Sequence, residues 1–290
     1  MMKPVILSAS RSTDIPAFYS SWFFKRLEIG WCSWINPFNN VTSQVSFEDL
    51  KFIVFWSKNP KPIIPYLHIL KEKSIGFYFQ YTLNDYSGFD LENVPGVVER
   101  LETFKTLASE FCPVVWRFDP LILIEGRIGK DILLERIWSI GKELTGYTDK
   151  LVFSFADISS YYRVKRNLTN ENIPYIEWTE DMMRDFCKDL LGLGLRMELA
   201  TCGERLNVPG ISKNKCVDPV LIKRIMPGLG IDEKKDKGQR LECGCIKSKD
   251  IGQYNTCLHL CKYCYANTDA ETVMKNWNRH LANPNGDTIF

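Results

Sequence analysis

Phe52-Ile-Val-Phe-Trp56 and Gly76-Phe-Tyr-Phe-Gln-Tyr-Thr82, joined through a helix at Ile63–Lys73, decide how this chain folds. Both runs are almost continuously apolar, as strands buried on two faces are. A helix between two such strands is the crossover that lets them lie parallel. The same alternation extends in both directions. Upstream, Pro4-Val-Ile-Leu-Ser8 reads as a strand and is followed by a helix from Pro16 to Leu27, with Asp14 placed to cap it and Gly30 to end it. Trp31-Cys-Ser-Trp-Ile35 reads as the second strand, before the turn-rich Asn36-Pro-Phe-Asn-Asn40. Downstream lie strands at Val114–Phe118, Leu151–Phe155 and Leu195–Ala200, with helices at Val97–Glu110, Lys130–Leu144 and Glu180–Leu191.

Seven strands in this pattern predict an α/β fold, a parallel β/α barrel of the TIM type, full or partial. An open doubly wound sheet is the alternative. The 290 residues suit a barrel of about 250 residues with an extension. The expected organisation is a barrel core over residues 1–201 and a cysteine-rich region over 202–290 packed on its C-terminal rim, one structural domain overall. In either architecture the site belongs at the C-terminal ends of the strands. The polar residues expected there are Arg11 and Asp14 after strand one, Lys58 after strand three and Arg117 and Asp119 closing strand five. Asp157 closes strand six, and Glu198 and Cys202 stand at the end of strand seven. Any one of them has an ordinary reading as a cap or internal ion pair. Their gathering on one rim points to a site.

Composition narrows the function classes. A net charge of +2 gives no electrostatic footprint for nucleic acid, so a nucleic-acid partner is unsupported by charge. No apolar run approaches the roughly 20 residues of a membrane span, and the start of the chain has no signal-peptide pattern. A cytoplasmic protein is expected. In a reducing compartment its ten cysteines read as metal or redox groups rather than disulfides. Cys32, Cys112 and Cys187 lie scattered in apolar surroundings as small hydrophobes, whereas seven cysteines fall between Cys202 and Cys264.

The sharpest of these is Tyr254-Asn-Thr-Cys-Leu-His-Leu-Cys-Lys-Tyr-Cys-Tyr-Ala-Asn267. Cys257, Cys261 and Cys264, separated by three and then two residues, can converge on one centre and leave a further position open. That suits an iron–sulfur cluster better than zinc, which recruits four protein ligands in structural sites. The blander reading is a zinc knuckle completed by His259 or a distant cysteine. His259 itself reads as pointing to solvent, and Tyr263 and Tyr265 as rings shielding the metal or stacking on an adenine. Cys202, Cys216, Cys243 and Cys245 are the right number for a second centre, zinc or iron–sulfur.

The spacing of Cys257, Cys261 and Cys264, with Tyr263 directly before the last, resembles the cluster loop of the radical S-adenosylmethionine superfamily. Over nearly its whole length the chain resembles family 1848 of domains of unknown function. The carrying motifs are Ser8-Ala-Ser-Arg-Ser-Thr-Asp-Ile-Pro16, Val54-Phe-Trp-Ser-Lys-Asn-Pro60 and Asp250-Ile-Gly-Gln-Tyr-Asn-Thr-Cys257 running into Cys261-Lys-Tyr-Cys-Tyr-Ala266. The first resemblance implies a 4Fe–4S cluster, S-adenosylmethionine as cofactor, and radical chemistry on a small-molecule or nucleotide-like substrate. It also implies an external electron donor such as a flavodoxin or ferredoxin. Under it Lys58, Arg117, Asp119 and Asp157 are the candidate catalytic residues, and Arg11, Asp14, Glu198, Tyr263 and Tyr265 the candidate cofactor-binding ones. Two departures stand against it: the loop follows the last strand rather than the first, and no Gly-Gly-Glu type segment is present. The alternatives are a cluster enzyme that does not use S-adenosylmethionine, and a non-catalytic iron–sulfur or zinc protein that binds nucleic acid or a partner.

Overall fold

The computed structural model describes Met2 and residues 5–290, so Pro4 of the first expected strand lies outside the described residues. Eight parallel strands form the main sheet: β1 (Ile6–Ala9), β2 (Phe52–Ser57), β3 (Gly76–Thr82), β4 (Val114–Leu121), β5 (Lys150–Phe155), β6 (Glu198–Thr201), β7 (Ser212–Lys213) and β8 (Lys249–Asp250). Their spatial order is β7-β6-β5-β4-β3-β2-β1-β8. The ladder therefore ends on two short strands, and β8, last in sequence, lies beside β1. The loop that follows β8 accordingly emerges next to the loop that follows β1. This adjacency brings the late cysteine loop to the same rim as residues 10–14.

Side-chain alternation divides the sheet into two buried faces. Leu7, Ile53, Phe55, Phe77, Phe79, Trp116, Phe118, Leu151 and Phe153 point to one side, where Trp22, Phe23, Leu70, Phe104, Leu107, Ile137 and Leu190 of the flanking helices cover them. The other side carries Ile6, Phe52, Val54 and Tyr78. Here the cover is a single segment, with Val217, Ile222 and Ile246 buried against it. Two apolar faces, each with its own cover, explain why these strands read as unbroken apolar runs. The second cover is pinned by polar contacts as well. Tyr78 Oη donates to the Cys216 carbonyl at 2.5 Å and Gln80 Nε2 donates to the same oxygen at 3.0 Å. Residues 202–290 thus supply two strands of the sheet and the cover of its second face.

At Gly76 a Cβ would collide with Met226 Sδ of that cover and stand 2.7 Å from the Phe52 ring, so a side chain there has no room.

Three sequence expectations are corrected. Trp31–Ile35 is a strand but not part of the main sheet; it pairs antiparallel with Thr42–Ser46. The Asn-rich turn between them favours a hairpin over a crossover, with Asn36 Oδ1 accepting from Phe38 N at 2.9 Å and Asn40 at φ 56°. Strand six of the sheet starts later than expected, at Glu198, because the helix ends at Gly192 and Gly194 turns the chain at φ 64°. Glu198 therefore opens its strand instead of closing it. The segment after β5, expected as a loop, contains a helix at Tyr162–Asn170. No helix among the described residues is long and apolar enough to cross a membrane.

Candidate metal and ligand site

The C-terminal strand ends surround one cavity of about 440 Å³, lined by both cysteine groups and by residues in or just after the ends of β1 to β6. Its volume falls within the roughly 300–1,000 Å³ of small-molecule sites. Arg11, Asp14, Lys58, Arg117, Asp119, Asp157, Tyr263 and Tyr265 all line it. Glu198 does not: it is exposed at the opposite end of β6, paired with Lys150 at 3.2 Å.

Cys257, Cys261 and Cys264 sit on a loop held from several sides. Tyr19 Oη donates to Thr256 O at 2.6 Å, and Asn267 Nδ2 to Cys257 O at 2.8 Å. From the unexpected helix, Asn167 Nδ2 donates to Cys264 O at 3.1 Å and Asn267 O at 3.2 Å, while Arg166 reaches Thr268 O at 2.7 Å. The backbone N–H groups of Ala266 and Asn267 both point at Cys264 Sγ, each at 3.3 Å. Burial pushes all three thiols above the usual cysteine range, well above it for Cys257 and Cys261. None is in a disulfide.

His259 does not face solvent. It is 2% exposed, with Nε2 2.8 Å from Asp14 Oδ2 and Nδ1 3.0 Å from the Asn93 carbonyl. Both ring nitrogens face oxygen acceptors. Asp14 also accepts from Ala17 N, Ser57 Oγ and Lys58 N at 3.0, 2.8 and 2.7 Å. With four donors it is saturated, and it locks the β1 loop, the β2 loop and the cysteine loop together rather than waiting for a ligand.

Two ion pairs flank the cavity. Lys58 Nζ meets Glu92 at 2.7 Å and Tyr263 Oη at 3.1 Å, and Tyr263 also donates to Glu92. Burial works against the Lys58 charge, but Glu92 and the nearby Cys261 together raise the pKa. Arg117 pairs with Asp119, which also accepts from Ser154; burial opposes that carboxylate, yet Arg117 and Ser154 hold it below its usual range. Tyr265 Oη donates to the Arg11 carbonyl at 2.6 Å, and Asp157 is exposed at the rim. Arg11 Nε and Thr13 Oγ1 are buried with no partner, and both residues line the cavity. Such groups are costly to bury unless a ligand satisfies them.

Sequence reading missed Glu92, Ser154 and Glu204. Glu204 lines the cavity with a pKa raised by burial while accepting from Phe155 N at 2.9 Å. Glu92 and Glu204 lie in loops with no periodicity, and only burial marks them.

Close backbone approach joins the β1 and β8 loops at Gly252. A Cβ there would stand 2.6 Å from Ser12 Oγ and 3.2 Å from Ser10 Cβ. Gly252→Ala is expected to cost about 1–3 kcal/mol through overpacking, read as a lower urea midpoint at unchanged slope.

The second group is a chain of thiol contacts. Cys202 Sγ lies 3.4 Å from Cys216 Sγ, Cys216 interacts with Cys245, and Cys245 with Cys243, whose pKa that contact draws down to about 7. Among the described residues, no three His, Cys, Asp or Glu side chains close around one point in the way a single ion requires. The three loop thiols face a shared cavity without a fourth ligand, a donor set that fits a cluster of several irons better than one tetrahedral ion.

The domain-of-unknown-function family DUF1848 matches residues 6–266. The chain belongs to the DUF1848 family. Its motifs fall at the junctions just described: Ser8–Pro16 supplies Arg11 and Asp14, Val54–Pro60 supplies Lys58, and Asp250–Ala266 is the cysteine loop. No protein of curated function matches the chain, and no solved structure does.

Proposed function

We propose that this DUF1848 protein is an iron–sulfur enzyme of the radical S-adenosylmethionine kind, built on a parallel sheet curled into a partial β/α barrel. The observation that carries the reading is the convergence of Cys257, Cys261 and Cys264 on one cavity with residues from six strand ends. Cys202 and Cys216, which follow β6 and β7 at one edge, and Cys245, which precedes β8 at the other, line that same cavity, which supports the curl.

Cys257, Cys261 and Cys264 would hold a 4Fe–4S cluster, with the N–H groups of Ala266 and Asn267 supporting the Cys264 sulfur. When bound, cluster and S-adenosylmethionine together supply one-electron cleavage and hydrogen abstraction. The chain's own part is to position and to exclude water. Arg11 and Thr13 offer unpartnered groups to a polar ligand. The Arg117–Asp119 and Lys58–Glu92 pairs present fixed charges at the walls. Asp14 and His259 keep the loop in register with β1 and β2. The substrate class is a small or nucleotide-like molecule with polar groups, and an external electron donor is required.

The test is anaerobic reconstitution with iron and sulfide, then dithionite reduction with S-adenosylmethionine. A brown protein releasing 5′-deoxyadenosine is the expected result. Colourless protein containing only zinc would overturn the reading. Brown protein that leaves S-adenosylmethionine intact would transfer the cavity to a cluster enzyme that binds its substrate directly.

A further inference from the structure

We infer that Cys202, Cys216, Cys243 and Cys245 form a second, four-thiolate metal centre that ties together the two open edges of the sheet. The placement of the four is the first argument. Cys202 directly follows β6, Cys216 follows β7, and Cys243 and Cys245 precede β8. Strands β7 and β8 end the ladder at opposite edges, yet Cys202 Sγ lies 3.4 Å from Cys216 Sγ, the Val217 N–H next to Cys216 donates to Cys245 Sγ, and all four cysteines line one cavity. A metal held by them links the edges where no backbone ladder does.

The donors aimed at sulfur are the second argument. Cys216 Sγ receives Arg117 Nη1 at 3.0 Å and Asn214 Nδ2 at 3.2 Å, and Cys245 Sγ receives Val217 N at 3.4 Å. A neutral thiol is a weak acceptor, so a buried guanidinium and amide directed at one sulfur are poorly matched to it. They are well matched to a metal-bound thiolate, whose charge such second contacts stabilise and orient. Cys216 and Cys245 are also 6% and 2% exposed, which protects a bound metal from exchange. Four thiolates are the ligand set of structural zinc and of iron–sulfur clusters alike, and because no three of these close around one point the set fits a cluster of several irons rather than a single ion.

The inference does not rest on the loop at Cys257–Cys264, and the experiment separates the two. The full chain is purified anaerobically with Cys257, Cys261 and Cys264 all replaced by serine, and zinc and iron are counted by mass spectrometry. That protein is expected to retain about two to four irons with visible absorption. Cys216→Ser/Cys245→Ser in the otherwise natural chain should lose that metal and keep the loop's iron. Its melting temperature should fall as well, because metal binding at such a site is coupled to folding. A folded loop-triple variant with neither zinc nor iron would overturn the inference. So would Cys216→Ser/Cys245→Ser protein with undiminished metal content. Retained zinc in place of iron would overturn the cluster assignment of this centre.

Discussion

Cys261→Ala is expected to remove the loop's iron and reduce 5′-deoxyadenosine release to background while the protein stays folded. The expectation follows from how the loop is held. Its fixings are backbone and amide contacts made by Tyr19, Asn167, Arg166 and Asn267, none of which uses the Cys261 sulfur. The sheet's cores are likewise formed by other side chains, with Cys261 only packed at the margin of one. Losing one ligand of three leaves a cluster without its anchor, so the effect on bound iron is close to all or none. Far-UV circular dichroism and the urea midpoint should shift little, by the cost of one partly buried thiol. If the variant instead unfolds, the loop metal is structural and belongs with the zinc knuckles. If it keeps iron and cleavage, the loop is not the cluster site.

Much of this arrangement could be read from residue order because two signals are local. Unbroken apolar runs such as Phe52–Trp56 and Gly76–Thr82 identify strands buried on both faces whatever their partners are. The cysteine loop likewise carries its spacing within eight residues. What stayed hidden depends on partners far away in sequence. Strands β7 and β8 are two residues each, Ser212–Lys213 and Lys249–Asp250, and no propensity distinguishes them from loop. Glu92 looks like any solvated acid until Lys58 and Tyr263 close on it. Helix Tyr162–Asn170 buries only Val164 and Leu168, so its apolar stripe is too thin to stand out. Trp31–Ile35 shows the converse: its strand character was legible, but membership in the sheet was decided by the turn that follows. Glu198 shows how a shift of three residues in a strand's start exchanges one end of the sheet for the other.

Glu92→Ala is expected to cost about 3–5 kcal/mol of stability in the metal-free protein. The Glu92 side chain is fully buried and that of Lys58 is 16% exposed. Removing the carboxylate leaves the ammonium with Tyr263 as its one remaining side-chain hydrogen-bond partner of this pair, in a site where burial already disfavours the charge. Urea unfolding followed by tryptophan fluorescence measures the loss as a lower midpoint at constant slope. The comparison that gives the result meaning is the double variant Lys58→Met/Glu92→Leu. Apolar replacements of similar volume often equal or exceed a buried ion pair in stability, so the double variant should recover most or all of the loss. Stability alone would then not account for a charged pair at this position. The double variant should nevertheless fail to support 5′-deoxyadenosine release, because it removes fixed charge from the wall facing the cysteine loop. A loss below about 1 kcal/mol for Glu92→Ala would mean that water reaches the pair as it reaches a surface salt bridge. In that case Lys58 is an ordinary solvated cation, and the positioning role assigned to it falls.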